Sequence, residues 1–137
     1  MYIDANLAIV TSQDLGDSQA PATVLGENSV DLGAAKDLSK GKQLYVIITV
    51  EESFVGNTSV TFQVITDSVA TLADTPTVHA STAAIAVASL TAGRAPIVIP
   101  IANPLGVEEQ YLGIQFVIAG GTGTAGIVSA CIGFDAP

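Results

Sequence analysis

The chain has 137 residues with one cysteine, one histidine and no tryptophan, and its 13 acidic and 4 basic residues give a formal charge of −9. This length predicts one domain, and a chain of this size can bury a hydrophobic core without metals or disulfides. Because Cys131 is the only cysteine, an intrachain disulfide and a cysteine-rich zinc module are excluded.

Charge is scarce in this sequence. Charged residues make up 12% of the chain and hydrophobic residues 49%, whereas ordinary domains carry about 25% charged residues. Such a chain folds, and its exterior is either rich in Ser, Thr, Ala and Gly or covered in an assembly. Nucleic acid and membrane surfaces are not expected as partners, because both are bound mainly through Lys and Arg. The four basic residues are Lys36, Lys40, Lys42 and Arg94.

Two segments bear on localisation. Residues 1–10 contain no Lys or Arg and so lack the basic region of a secretory signal, which makes the cytoplasm the expected place of synthesis. Residues 110–134 are uncharged and long enough to span a bilayer. The glycines between residues 120 and 126 would weaken a helix there, so we predict two strands joined by a turn.

Hydrophobic alternation is weak in the N-terminal part of the chain. It predicts short strands at 5–11, 23–26 and 29–32, and one helical turn fits residues 33–39. Residues 1–28 are the least periodic and are predicted to be an N-terminal arm or the first strands of the same domain. Residues 29–137 are predicted to form a β-sandwich domain.

The clearest strand prediction covers residues 43–51, in which Leu44, Val46, Ile48 and Val50 alternate with a second set of side chains. Glu51 and Glu52 are predicted to end it. A second strand is predicted at 58–67, and Gly56 and Asn57 in the short link indicate that the two form a hairpin.

Four further segments are predicted to be strands. Residues 84–90 alternate, although the alanines of 81–89 leave a helix as an alternative. Residues 97–101, which follow Pro96 and include Pro100, indicate an edge strand. Residues 111–118 and 126–134 are predicted to form a second hairpin through a turn at 120–125.

About eight short strands separated by turn residues predict an all-β chain folded as a single-domain antiparallel β-sandwich. A jelly-roll-like arrangement and an immunoglobulin-like one are the main versions. Periodicity does not choose between them.

Motifs for chemistry are weak. Gly121, Gly123 and Gly126 match G-x-G-x-x-G, but the residues that follow indicate a strand where a dinucleotide loop needs a helix. The only histidine, His79, would need a serine and an acid such as Asp74 for a hydrolytic triad, and no serine lies in a G-x-S-x-G elbow. A histidine in a loop or at a strand edge is the favoured interpretation.

Acidic pairs offer oxygen ligands, but none has EF-hand spacing, and solvated turn residues explain them better. A glycosidase would also use two carboxylates, but the aromatic platforms usual in a sugar cleft are few here. We therefore expect no enzyme, cofactor or metal. The acidic pairs are Asp14/Asp17, Glu51/Glu52 and Glu108/Glu109.

The sequence resembles the cement or decoration proteins of tailed-bacteriophage capsids that form jelly-roll trimers. The most specific part is Val30-Asp31-Leu32-Gly33 followed by Gly41-x-x-Leu44-Tyr45-Val46. Shorter pieces follow in the same order across residues 1–135. They include Asp4, Leu7, Ser12 and Gln13, then Ser81-Thr82-Ala83-Ala84-Ile85, Ala92-Gly93, Pro100, Tyr111-Leu112, Ala125-Gly126 and Ser129-Ala130.

This resemblance implies a structural protein on the outer surface of the virion capsid, present in the host cytoplasm during assembly. Its partners would be the major capsid protein and itself, as a homotrimer, and it would stabilise the expanded shell. Residues 1–17 are a candidate contact arm, with Tyr2, Asp4 and Leu7 as capsid or intersubunit contacts. The alternatives are a carbohydrate-binding or adhesive β-sandwich and a head-completion or tail protein.

Overall fold

Nearly all of the regular structure in the described residues is β-strand. The computed structural model describes residues 7–16, 22–36, 43–101 and 109–133. A 3-10 turn, Val87–Ser89, interrupts the strands. The strands are β1 (Ala8–Asp14), β2 (Ala22–Leu25), β3 (Val30–Lys36), β4 (Leu44–Val55), β5 (Ser59–Asp67), β6 (Thr77–Ser81), β7 (Ile85–Ala86), β8 (Ile97–Ile101), β9 (Glu109–Ala119) and β10 (Ala125–Gly133).

The strands form two antiparallel sheets that pack face to face. The four-stranded sheet has the order β1-β10-β4-β8, and the six-stranded sheet has the order β2-β9-β5-β6, with β3 also on β9 and β7 also on β5. Four antiparallel pairs nest along the chain: β1 with β10, β2 with β9, β4 with β8 and β5 with β6. This nesting defines a jelly roll. The predicted all-β sandwich is therefore confirmed, and the jelly-roll version is the correct one.

The core lies between the sheets and follows the predicted alternation. Alternate residues of the central strands enter it, among them Val46, Ile48 and Val50 of β4. At its centre the rings of Phe62 and Phe116 pack edge to face, with centroids 5.7 Å apart and an interplanar angle of 87°. This geometry is a favoured one for aromatic pairs.

Both predicted hairpins are wrong. β4 and β5 lie in different sheets, and so do β9 and β10. The two connections are corners that pass from one sheet to the other, and they pack against each other. The Asn57 side-chain amide donates to the carbonyl oxygens of Gly120 (3.2 Å) and Gly121 (3.3 Å). The Thr124 amide donates to the carbonyl of Val55 at 2.9 Å. Turn residues therefore marked the bends correctly but not the pairing.

Three further predictions need correction. Glu51 and Glu52 do not end β4, which continues to Val55 because bulges return Phe54 to the core. Residues 33–36 belong to strand β3 where one helical turn was expected, and residues 37–42 lie outside the described part. Residues 81–89 hold the end of β6, then β7 and the 3-10 turn, so neither the long strand nor the α-helix forms.

Other predictions are confirmed. β8 forms an edge of the four-stranded sheet, and its exposed Pro100 lies opposite Tyr45. Residues 110–133 are strands β9 and β10 with a turn between them, and the glycine motif is followed by strand. None of the helical turns in the described segments has the length and apolar character that a membrane crossing needs.

Candidate functional site

Two of the β-bulges that flank strand β10 of the four-stranded sheet lie on opposite sides of Ser129. In β1, Gln13 lies three positions after Val10, whereas their partners Val128 and Ala130 in β10 are two positions apart. Ser12 in this bulge has a φ of 47°. In β4, Glu51 is the extra residue between Val50 and Glu52, which pair with the adjacent residues Val128 and Ile127 of β10. Bulges redirect side chains, and a positive φ at a residue other than glycine is uncommon. Both bulges direct a polar side chain towards Ser129 of β10.

We call Ser12, Glu51 and Ser129 the bulge cluster. The Ser12 hydroxyl donates to Glu51 Oε2 at 2.8 Å, and the Ser129 hydroxyl donates to Glu51 Oε1. The backbone amide of Ser12 donates to Ser129 Oγ at 2.9 Å. Three strands thus hold one exposed carboxylate in a fixed position on the outer face of the sheet.

The hydroxyl donors lower the pKa of Glu51 below its ordinary value, with the bond from Ser129 contributing most and that from Ser12 next. A carboxylate that accepts hydrogen bonds is stabilised in its charged form. Because this pKa is lower in the folded chain than in the unfolded chain, the unfolded state binds the proton more readily. The contribution to stability is therefore complete above the unfolded pKa and is lost as the pH falls through the folded pKa.

We expect Ser129→Ala to raise the pKa of Glu51 towards its ordinary value, because the larger of the two stabilising hydrogen bonds is removed. An NMR titration of the Glu51 side-chain carboxyl carbon measures this directly. Ser12→Ala should give a smaller rise in the same direction. Equal titration curves for the wild type and Ser129→Ala would show that these hydroxyls do not stabilise the carboxylate.

Beside the bulge cluster, the outer face of the four-stranded sheet has an apolar depression of about 260 Å³. Within it, Ile47 is 1% exposed and Cys131 is 7% exposed, although neither belongs to the core between the sheets. Burial raises the pKa of the Cys131 thiol, which makes it a poor nucleophile. The residues that line the depression are Ala8, Val10, Thr11, Ile47, Thr49, Ser129, Ala130 and Cys131.

Two further acidic residues of the described chain lie near the bulge cluster. Asp14 and Glu52 are both exposed, and both lie opposite Ile127 of β10, one from each neighbouring strand. Among the residues whose side chains the structure describes, Arg94 is the only Lys or Arg. Its guanidinium donates to the carbonyl oxygens of Ser89 (2.7 Å) and Ala95 (3.3 Å).

A second polar cluster contains the only histidine. His79 lies on strand β6, and its Nε2 is 2.6 Å from the hydroxyl of the buried Thr66. That hydroxyl donates to Glu109 Oε1 at 2.7 Å. Because its single proton is used on Glu109, the hydroxyl accepts from His79, which is the reverse of nucleophile activation. The expected strand-edge histidine is confirmed, since β6 is an edge strand.

The loop after β5 is held by Asp67, whose side chain is 0% exposed. Its carboxylate accepts hydrogen bonds from the backbone amides of Ser68 (2.6 Å) and Asp74 (3.0 Å). Within this loop, Leu72 is buried with a φ of 59° and packs on Gly113, where any side chain would collide with it. Asp74, which the sequence offered as a triad acid, therefore belongs to a loop held in place by Asp67.

We expect Asp67→Ala to lower the free energy of unfolding by about 2 kcal/mol, because two backbone amides would lose their acceptor. The loop of residues 68–76 should open first, so its amides should exchange hydrogen faster and proteases should cut it. Asp74→Ala is the matched control, since its carboxylate accepts only a 3.5 Å bond from Ser68 and its own amide is unchanged. Equal stability and exchange in the two variants would contradict this role for Asp67.

The predicted contact residues lie at the start of the chain. Leu7 is half-buried and packs against the core, while Tyr2 and Asp4 lie outside the described residues. β1 belongs to the four-stranded sheet, and residues 9, 10 and 15 are in the core. Removing residues 2–17 would therefore remove β1 and damage the sandwich, so residues 8–15 are not a detachable arm. Contact through Tyr2, Asp4 and Leu7 stays a prediction.

The acidic pairs do not form a metal site in the described segments, where no group of three or more His, Cys, Asp or Glu could hold a metal ion. Asp17 and Glu108 lie outside those segments. Glu51 is the member of these pairs that sequence reasoning undervalued, because it was interpreted as a solvated turn residue. Its partners Ser12 and Ser129 gave no signal, since they are distant in sequence and meet only through the bulges.

The nested strand order, the closed core and the apolar depression define the class as a jelly-roll β-sandwich with a polar-rimmed depression on one sheet face. The chain matches the family described as Bbp16 over residues 15–132 and belongs to that family. No curated protein matches the chain.

Proposed function

We propose that this chain is a structural virion protein that binds the outer surface of an assembled bacteriophage capsid as a homotrimer and stabilises the expanded shell. The observation that carries the proposal is the outer face of the four-stranded sheet, which has an apolar depression beside a fixed carboxylate. A surface of this kind on a rigid sandwich suits contact with a larger neighbour.

The composition supports the same proposal. Charged residues make up only 12% of the chain, and surfaces that are covered in permanent assemblies are more apolar than ordinary surfaces. The sequence resemblance to capsid cement proteins spans most of the chain and implies a jelly roll. The observed strand order has that topology.

Stabilisation of the shell would follow from selective binding. A protein that binds only the assembled, expanded shell stabilises it by about 2.7 kcal/mol per site at a free concentration of 100 Kd. A trimer strengthens this effect, because once one copy is bound the other two engage at high effective concentration if the geometry permits. Packaged DNA presses outward on the shell, and such clamps would resist that pressure.

The test combines native mass spectrometry with sedimentation. We expect a mass three times the 13.8 kDa of the chain, co-sedimentation with empty expanded shells, and a higher disassembly temperature for decorated shells. Unexpanded shells are the matched control and should bind less protein. Rings of six or twelve copies would favour a head-completion or tail protein, and a monomer that binds a glycan array would favour an adhesive module.

A further inference from the structure

The bulge cluster and the apolar depression form one continuous surface. Ser129 belongs to both, since its hydroxyl donates to Glu51 while the residue also lines the depression. Thr49, which is exposed, lies on the same wall. A partner that reaches Glu51 would therefore also contact the apolar floor formed by Ile47 and Cys131.

The carboxylate of Glu51 still has acceptor capacity. It accepts two hydroxyl donors, whereas a carboxylate offers about four lone-pair positions, and the side chain is exposed to solvent. Among the described residues, the neighbouring Glu52 is also acidic and exposed. A basic group is therefore the matching partner for this surface. It can be an Arg guanidinium, which binds a carboxylate through two hydrogen bonds, or a Lys ammonium.

We propose that this surface binds an extended segment of the capsid shell in which a Lys or Arg pairs with Glu51 and an adjacent apolar side chain enters the depression. The inference rests on the proposed function and names the contact face and the chemistry of the partner. A second copy of this chain is a poorer occupant, because it has 13 acidic residues and only 4 basic ones to offer.

The first test compares Glu51→Gln with Asp74→Asn in co-sedimentation with empty expanded shells. Asp74→Asn is the matched control, because it removes the same charge from the exposed loop after β5 on the other sheet. Glu51→Gln should raise the Kd about fivefold or more and weaken its dependence on salt, while Asp74→Asn should stay within about twofold of the wild type. Equal binding by Glu51→Gln and the wild type overturns the inference.

The second test measures the labelling of introduced cysteines. Cys131 stays in place, because burial makes it a poor nucleophile. Thr49→Cys places a more reactive thiol at the exposed wall of the depression, and Val78→Cys places one on β6 of the other sheet. Shell binding should slow maleimide labelling of Thr49→Cys at least tenfold and should change that of Val78→Cys less. Equal labelling of Thr49→Cys with and without shells overturns the inference.

Three outcomes distinguish this inference from a contact between copies and from a failure of the proposed function. If Thr49→Cys becomes protected in the free protein as its concentration rises, a second copy covers this face and the capsid segment is excluded. If the wild type does not sediment with shells at all, the proposed function is wrong, and so is this inference, which rests on it. Wild-type binding that is unaffected by Glu51→Gln contradicts the inference alone.

Discussion

Replacing Phe62 with alanine is expected to lower the free energy of unfolding by about 3–5 kcal/mol. Phe62 is 0% exposed and packs edge to face on Phe116, which extends from the neighbouring strand β9. The substitution removes the buried ring and leaves a cavity at the centre of the sandwich. Urea denaturation followed by circular dichroism measures the change.

The matched control for this prediction is Val78→Ala, a large-to-small change at a side chain that is 47% exposed on the six-stranded sheet. It should change the free energy of unfolding by less than about 1 kcal/mol. A loss below about 1 kcal/mol for Phe62→Ala would mean that the two aromatic rings do not support the core as described.

Gly56→Ala should also be strongly destabilising, by about 3 kcal/mol. The residue has a φ of 100°, and an added methyl group would overlap the backbone carbonyl oxygen of Thr122 in the facing corner. The substitution therefore combines backbone strain with a clash against backbone that cannot rotate away. Thermal and urea unfolding of the purified variant measure the loss.

Gly93→Ala separates the two effects. Gly93 has a φ of 83°, but nothing lies within 4 Å of the position that its methyl group would occupy. Only the strain remains, so a loss of about 1 kcal/mol is expected. If both alanine variants lose the same stability, the close packing of the two corners makes no contribution.

Local sequence patterns predicted which side chains share one face of a strand. The alternation grouped Leu44, Val46, Ile48 and Val50 of β4, and all but Leu44 of this set are buried in the core, because side chains on a strand alternate between its two sides. Alternation depends only on residues that are neighbours in the sequence.

Strand pairing could not be predicted in the same way. A short link with Gly56 and Asn57 is typical of a hairpin, but the same residues also allow a corner between two sheets. The choice depends on whether β4 pairs better with β5 or with β10 and β8, which are far away in the sequence. The residues next to Gly56 and Asn57 therefore do not indicate which of these pairings is the more stable.

The candidate site was less predictable than the fold. Glu51 was interpreted as the end of a strand, because a charged residue in an apolar alternation usually marks solvent. The bulge places it instead on the outer face of a continuing strand, beside Ser12 and Ser129. A bulge adds one residue and breaks the period of two, so alternation alone cannot reveal it.

The nested pairing of strands also affects how the chain folds. β10 lies between β1 and β4, so the four-stranded sheet cannot form completely before residues 125–133 have been synthesised. Forming it then joins segments more than a hundred positions apart. Long loops are costly to close, so we expect this polypeptide to acquire its native form slowly and to need protection from aggregation meanwhile.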